Sequence, residues 1–227
     1  MTREHYMELL QALDRAVLEL GEVVVKTMKD CMRALQEKDT EAAVRLIQGD
    51  ADIDRRRQQI EHDCVVIMAT QQPAAGDLRR LTSVLSISTE LERIGDYCEG
   101  IAKLTLRMAG EPVIQPFDEI QNMAERTARV LREALQAYGC RDMNRARHVW
   151  QDDDEVDVLY EQVFRDLLAA MVADVSVVRR GTYLLWVAHN LERIADRATN
   201  IMESLAFMMT GDVEAFRLEA ASEMPVR

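Results

Sequence analysis

Proline and glycine are scarce, at four and nine in 227 residues. With so few helix breakers, and with Ala, Leu, Glu, Arg and Met abundant, the composition favours long helices. Stretches of β character are hard to find. No run of eighteen apolar residues occurs, so no segment is suited to cross a bilayer as a helix. Met1 to His5 is charged and lacks the apolar centre of a signal segment. Cys31, Cys64, Cys98 and Cys140 stand far apart, without C-x-x-C or zinc-like spacing. That pattern reads as free, buried thiols in a reducing cytosol. His5, His62, His148 and His189 are preceded three positions earlier by Thr2, Gln59, Arg145 and Trp186. A ferritin-like di-iron centre, which needs Glu-x-x-His, is therefore excluded, as is H-E-x-x-H. Nor is there a glycine-rich phosphate loop, a nucleophile elbow or a Cys–His pair, and the chain does not read as an enzyme. Basic excess is also missing. A net charge of −12 disfavours non-specific nucleic-acid binding and suits either plain solubility or the gathering of cations.

What is present is a large apolar fraction, 48%, beside 30% charged residues, enough to bury a core and to exclude wholesale disorder. Apolar stripes at three-four spacing predict six long helices. The first begins near Arg3, with Thr2 as N-cap, and carries Leu10, Leu13, Val17, Leu20, Val24, Met28, Cys31 and Leu35. Asp39 or Thr40 caps the second (about 41–72), which Pro73 ends. The third covers about 77–109, and the 110–116 segment, with two of the four prolines, is the best boundary. The fourth runs to 138 with Gly139 as its C-cap, followed by helices over 143–173 and 176–209. The expected organisation is a first three-helix unit over 1–110, a second over 116–210, and a polar, frayed tail over 211–227.

The two units are copies of one another. Leu91-Glu92-Arg93-Ile94-Gly95-Asp96 returns as Leu191-Glu192-Arg193-Ile194-Ala195-Asp196 at an offset of 100, and Arg79-Arg80 returns as Arg179-Arg180. Gln48 to Asp54 matches Gln151 to Asp157 at an offset of 103, the difference lying in the helix–helix turn. An internal duplication of an all-α, three-helix bundle accounts for all of this.

The repeated positions that carry chemistry are acidic. Each half offers two carboxylate pairs at i,i+4 spacing: Asp50/Asp54 with Glu92/Asp96, and Asp153/Asp157 with Glu192/Asp196. Such a pair lies on one helix face and repels itself. Asp50 and Asp153 also fall on apolar stripes, where an unpaired charge is costly. The converging oxygens suit a hard divalent cation or an oxygen-bridged metal cluster. Asn190, Asn200 and Glu90 lie within a turn and could add ligands; His189 is a further candidate, although it reads first as a satisfied helix histidine. The alternative is that arginine satisfies the acids, with Arg79, Arg80, Arg179 and Arg180 available to pair with them or to meet a partner. A metal-dependent enzyme on a helical scaffold is a third reading, for which no base other than the same carboxylates is visible.

These motifs, with Gln71-Gln72-Pro73 and Asp77-Leu78-Arg79-Arg80, resemble the PhoU family, the two-repeat helical regulators of phosphate uptake; the resemblance spans about residues 3 to 209. It implies tandem three-helix bundles with metal sites, of Fe, Zn, Mn or Mg, on the acidic faces. It further implies a cytoplasmic negative regulator of the phosphate regulon, acting as an adaptor between the Pst phosphate transporter's ATPase subunit and a sensor histidine kinase, often as a homodimer. Two positions depart from the family pattern: Ala195 stands where glycine is usual and Arg197 where histidine is frequent. Arg197, next to Asp196, would then be expected to stand in for part of a cation in the second half.

Overall fold

The computed structural model describes residues 3–112 and 115–222, and every regular element among them is a helix. Seven α-helices run in order: α1 (Arg3–Glu37), α2 (Thr40–Gln71), α3 (Ala75–Met108), α4 (Phe117–Cys140), α5 (Met143–Ala173), α6 (Val178–Thr210) and α7 (Val213–Ser222). A single 3-10 turn, Val175–Val177, leads into α6.

The helix ends follow local chemistry. Asp39 is the N-cap of α2, its carboxylate accepting from the Ala42 amide at 2.8 Å. Asp142 does the same for α5, accepting from Asn144 and Arg145; each such cap is worth about 1 kcal/mol. The expected Thr2 cap lies outside the described residues. Gly139 does not end α4. The helix runs on to Cys140, and Arg141 adopts the left-handed conformation at φ 55. The Arg141 backbone N–H closes the helix on the carbonyls of Ala137 and Tyr138, and its side chain pairs with Asp14 of α1 at 2.6 Å. Cys140 is consequently exposed, whereas Cys31, Cys64 and Cys98 are buried as expected.

α1–α3 form one bundle and α4–α6 the other. Contacts place α2, α3, α6 and α5 side by side in one layer, with α1 and α4 packed against each other in a second. The duplication is visible in the α3–α6 seam, where the helices run antiparallel. Glu90 faces Asn200 across it, and Gly100 faces Asn190 in the equivalent position of the other half. One buried apolar core continues through both units, from Leu10 to Phe216, so the boundary seen in the sequence separates two bundles that share a core.

The α1–α4 contact depends on a small residue. A Cβ on Gly21 would stand 2.5 Å from Cδ2 of Leu135, so the helices close over that glycine. Gly21→Val is expected to cost about 1–3 kcal/mol through overpacking. Urea unfolding measures it, and an unchanged midpoint would show that Leu135 simply swings aside.

The tail is not frayed throughout. Val213–Ser222 forms α7, which packs on α5 and α6. Phe216 is buried against Trp150 in an edge-to-face contact with ring centroids 6.0 Å apart. Arg217 binds both carboxylate oxygens of Glu203, at 2.7 and 2.8 Å. Only Phe216 and Ala220 are buried in this short helix, which is why its sequence reads as polar. The end of the expected tail, 223–227, lies outside the described residues.

Candidate metal centre

Helix periodicity brings the repeated acids together as two clusters, one between α2 and α3 and one between α5 and α6. In the first, α3 approaches α2 closely at Gly95. A Cβ there would lie 3.0 Å from Ile53 and 3.3 Å from Oδ1 of Asp50. Burial pushes Asp50 up to about 6, and the charges of Asp96, Glu99, Asp54 and Glu92 add to the rise. Glu92 is raised by burial and by Asp96, with Arg57 opposing. Asp96 is raised by burial, Asp54 and Glu99. Glu99 was not among the residues expected here. It lies one helical turn beyond Asp96 on the same face of α3, and that spacing could have found it.

The second cluster is more deeply set. Burial pushes Asp153 up to about 7, helped by the charges of Asp157, Asp196, Asp154 and Glu192. Asp157 is raised by burial and then by Asp196, and Glu192 by burial and then by Asp196, against Arg193. Oδ1 of Asp153 is buried here without a hydrogen-bond partner, and the buried Oε2 of Glu192 has only Nδ1 of His189, at 3.5 Å. A buried acceptor left so is costly, by about 1–3 kcal/mol or more for a charged group.

Other side chains sit differently from expectation. Arg80 donates to Asp14, Arg179 and Arg180 pair with Glu111, and the Arg79 side chain lies against the α6–α7 turn at Gly211. None of the four arginines pairs with the clusters in any ion pair found among the described residues. Asn200 donates to Glu90 at 3.2 Å and Asn190 faces Gly100, so both belong to the α3–α6 seam. Arg197 also turns to that seam, pairing with Glu90 at 3.2 Å instead of Asp196. The cation beside Asp196 is Arg193, at 2.6 Å, which also bonds Tyr97 of α3. His189 is the one auxiliary candidate near its cluster, with Nδ1 3.5 Å from Oε2 of Glu192.

The chemistry of the donors therefore fits a hard cation: four carboxylates cluster per half, most of them raised by burial and then by one another's charge, and Oδ1 of Asp153 lacks a donor. Among the described residues, no three such side chains already stand in a geometry that would grip one ion. Rotation of the carboxylates about their own χ angles is needed to close either set.

A model of the PhoU domain matches residues 17–105 and again 120–205, one match per bundle. The chain belongs to the PhoU family. A relative from Clostridium acetobutylicum, called a phosphate-specific transport system accessory protein PhoU homolog, is 38% identical over 93% of this chain and 97% of its own. One of the same description from Caulobacter vibrioides is 36% identical over 93% and 92%. Among solved structures, PhoU from Pseudomonas aeruginosa superposes with a TM-score of 0.87 at 30% identity, covering 91% of this chain and all (100%) of that one. The phosphate transport system regulatory protein PhoU from Streptococcus pneumoniae gives 0.86 at 29%, over 92% and 98%. The duplicated three-helix architecture is thus that of the family.

Proposed function

We propose that this protein is a metal-binding regulator of phosphate uptake, an adaptor between the phosphate transporter's ATPase subunit and a sensor histidine kinase. The names of its relatives support the phosphate-transport role. The observation that carries the metal is the buried Oδ1 of Asp153, without a hydrogen-bond partner inside a repeated carboxylate cluster. Asp50, Asp54, Glu92 and Asp96 would hold cations in the first half, and Asp153, Asp157, Glu192 and Asp196 in the second. A bound divalent metal supplies charge neutralisation there. The protein's own residues then do the rest. With their repulsion relieved, the acids hold α2 against α3, and α5 against α6, in one register, and so present a fixed face to a partner. In this reading the protein works in the cytoplasm; none of the described helices is long and apolar enough to cross a membrane. A homodimer is the expected assembly. Regulation is negative in this reading: the docked adaptor restrains the kinase while phosphate is plentiful.

The metal-free alternative is favoured by Arg193, which pairs with Asp196 at 2.6 Å and lies 3.9 Å from Glu192, and by His189 beside Glu192. Elemental analysis by plasma mass spectrometry on untagged protein separates the two readings. One or more divalent ions per chain, lost in Asp96→Ala/Asp196→Ala, is the expected result. Wild type without metal, and unresponsive to added Mg²⁺, Mn²⁺, Zn²⁺ or Fe²⁺, would leave arginine as the counter-charge. For the adaptor role, Glu92→Ala/Asp96→Ala is expected to weaken capture of the transporter ATPase.

A further inference from the structure

α1 and α4 close on one another at one side of their crossing and leave a groove at the other. The Asp39 and Asp142 caps, each preceded by a left-handed residue (Lys38 and Arg141, both at φ 55), align α1 with α4 at an offset of 103. Gly21 and Leu135, which meet on the closed side, therefore correspond to Ala124 and Met32 on the other. The methyl group of Ala124 fills the room that Gly21 leaves for Leu135, and Met32 stays half-buried where Leu135 is buried. The space that remains, between the C-terminal half of α1 and the N-terminal half of α4, is about 950 Å³.

The charge of this groove is opposite to that of the chain, whose net charge is −12. Lys29 and Arg33 from α1 and Arg126, Arg129 and Arg132 from α4 line it, against two acids, Glu37 and Glu125. Two of the cations are answered by neighbours: Arg33 by Asp30 at 2.7 Å, and Arg126 by Glu155 of α5. Arg129 stands 3.8 Å from Asp152 and 3.7 Å from Glu155, too far to donate to either, and its buried Nε has no hydrogen-bond partner. Lys29 and Arg132 form no ion pair among the described residues. Nε of Arg132 donates only to the Ala128 carbonyl of its own helix, at 3.1 Å. Lys29 and Arg132 are duplicates of one another, so each half contributes the same position to the groove. At the closed side of the same helix pair, Arg80 and Arg141 share the carboxylate of Asp14. No carboxylate of the chain does the same for Lys29, Arg129 and Arg132.

The floor argues against a docked protein segment. Met28, Ala124 and Ala128 are only 1%, 6% and 5% exposed, which leaves a helix almost no apolar surface to bury. A ligand here is held by charge. The volume is that of a small-molecule site, roughly 300–1,000 Å³. Among the described residues no aromatic ring lines the groove, so nothing stacks on a nucleobase.

We infer that the groove between α1 and α4 binds a small anion carrying two or more phosphate groups, inorganic or esterified, with Lys29, Arg129 and Arg132 as its main contacts. A phosphate group concentrates up to two charges on several oxygens. Guanidinium groups bind such oxygens two at a time, and a lysine meets them as a point charge. More than one phosphate is needed to reach cations on both helices. The site is separate from the acidic clusters and does not depend on the metal or adaptor reading.

Isothermal titration of sodium tripolyphosphate into the full chain tests it, with orthophosphate, ATP and citrate titrated in parallel. Lys29 and Arg132 are exposed, so Lys29→Gln/Arg132→Gln should leave the melting temperature unchanged. The double variant is expected to lose at least about ten-fold in affinity for tripolyphosphate, and wild-type binding should weaken as salt rises. Arg165→Gln, which removes an exposed cation of α5 outside the groove, should change it little. Orthophosphate should bind at least about ten-fold more weakly than tripolyphosphate, and ATP within about three-fold of it, because the base finds nothing to stack on. Wild type that does not bind tripolyphosphate overturns the site, and so does a double variant that binds like wild type. Three other outcomes also overturn it. Binding kept by the groove variant but lost in Asp96→Ala/Asp196→Ala would put the anion on metal at the acidic clusters. Citrate bound as tightly as tripolyphosphate would assign the groove to carboxylates. ATP bound far more tightly than tripolyphosphate would mean that the nucleoside is read.

Discussion

Replacing Asp14 with alanine is expected to destabilise the protein by about 3–5 kcal/mol, the range found when one member of a buried charged network is removed. Asp14 joins three elements at once. Its carboxylate accepts from Arg80 of α3 at 2.5 Å, from Arg141 after α4 at 2.6 Å and from the Tyr138 hydroxyl of α4 at 2.7 Å. Burial opposes its ionisation, but the hydrogen bonds from Arg80 and Tyr138 and the charge of Arg141 hold it below the usual carboxylate range. The two arginine side chains are only 19% and 25% exposed. Without the carboxylate, two guanidinium groups and a buried phenol face one another with nothing between them. Asp14→Asn keeps the shape but not the charge and should recover only part of the loss. Urea denaturation reads the effect, and heating should show a fall of about 2–4 °C for each kcal/mol in a chain of this size. A loss below about 1 kcal/mol would mean that water already satisfies the arginines, and that Asp14 does not tie the bundles together.

The second large effect is on pH. Stripped of metal, the protein is expected to be more stable near pH 5 than near pH 8, the reverse of a protein held by paired carboxylates. Asp153 is raised to about 7 and Asp50 to about 6. Above about pH 4 the unfolded chain releases these protons freely while the folded state still holds them. Stability therefore falls as pH rises from about 4 to about 7, and the full penalty remains above that range. Asp153, which is largely buried, should contribute about 2–4 kcal/mol, and Asp50 less, because water screens it. A divalent cation added near pH 8 should restore the loss, since it binds the ionised acids of the folded state alone. Asp153→Asn should stabilise the metal-free protein near pH 8 and flatten the profile. A stripped wild type whose melting temperature does not change between these pH values would show that neither burial nor neighbouring charge raises these acids in the folded protein.

These two effects differ in how far they can be read from sequence. The acidic clusters were legible because a helix places i and i+4 on one face, and because the duplication repeats Asp50/Asp54 and Glu92/Asp96 as Asp153/Asp157 and Glu192/Asp196. Spacing along a helix is a local property, fixed at 3.6 residues per turn. Asp14 gave no signal. Its partners lie 66, 124 and 127 positions away, and no period in the sequence relates them. The arginines show the same limit. Arg197 stands next to Asp196 in the chain, but adjacent residues on a helix point in different directions, and its partner proves to be Glu90 on another helix. Arg193, one turn before Asp196, is the cation that local geometry allows.

By itself, then, the sequence determined the helical class, the six long helices, the duplication and the pairs of acids, because each depends on a few neighbouring residues or on a repeat. Only the tertiary structure decided that the bundles share one core, that Arg80, Arg141 and Tyr138 converge on Asp14, and that Asn190, Asn200 and Arg197 belong to the α3–α6 seam. It alone also decided that the tail becomes α7. Each of these depends on which faces meet when distant helices pack, and side chains remote in the chain specify that jointly.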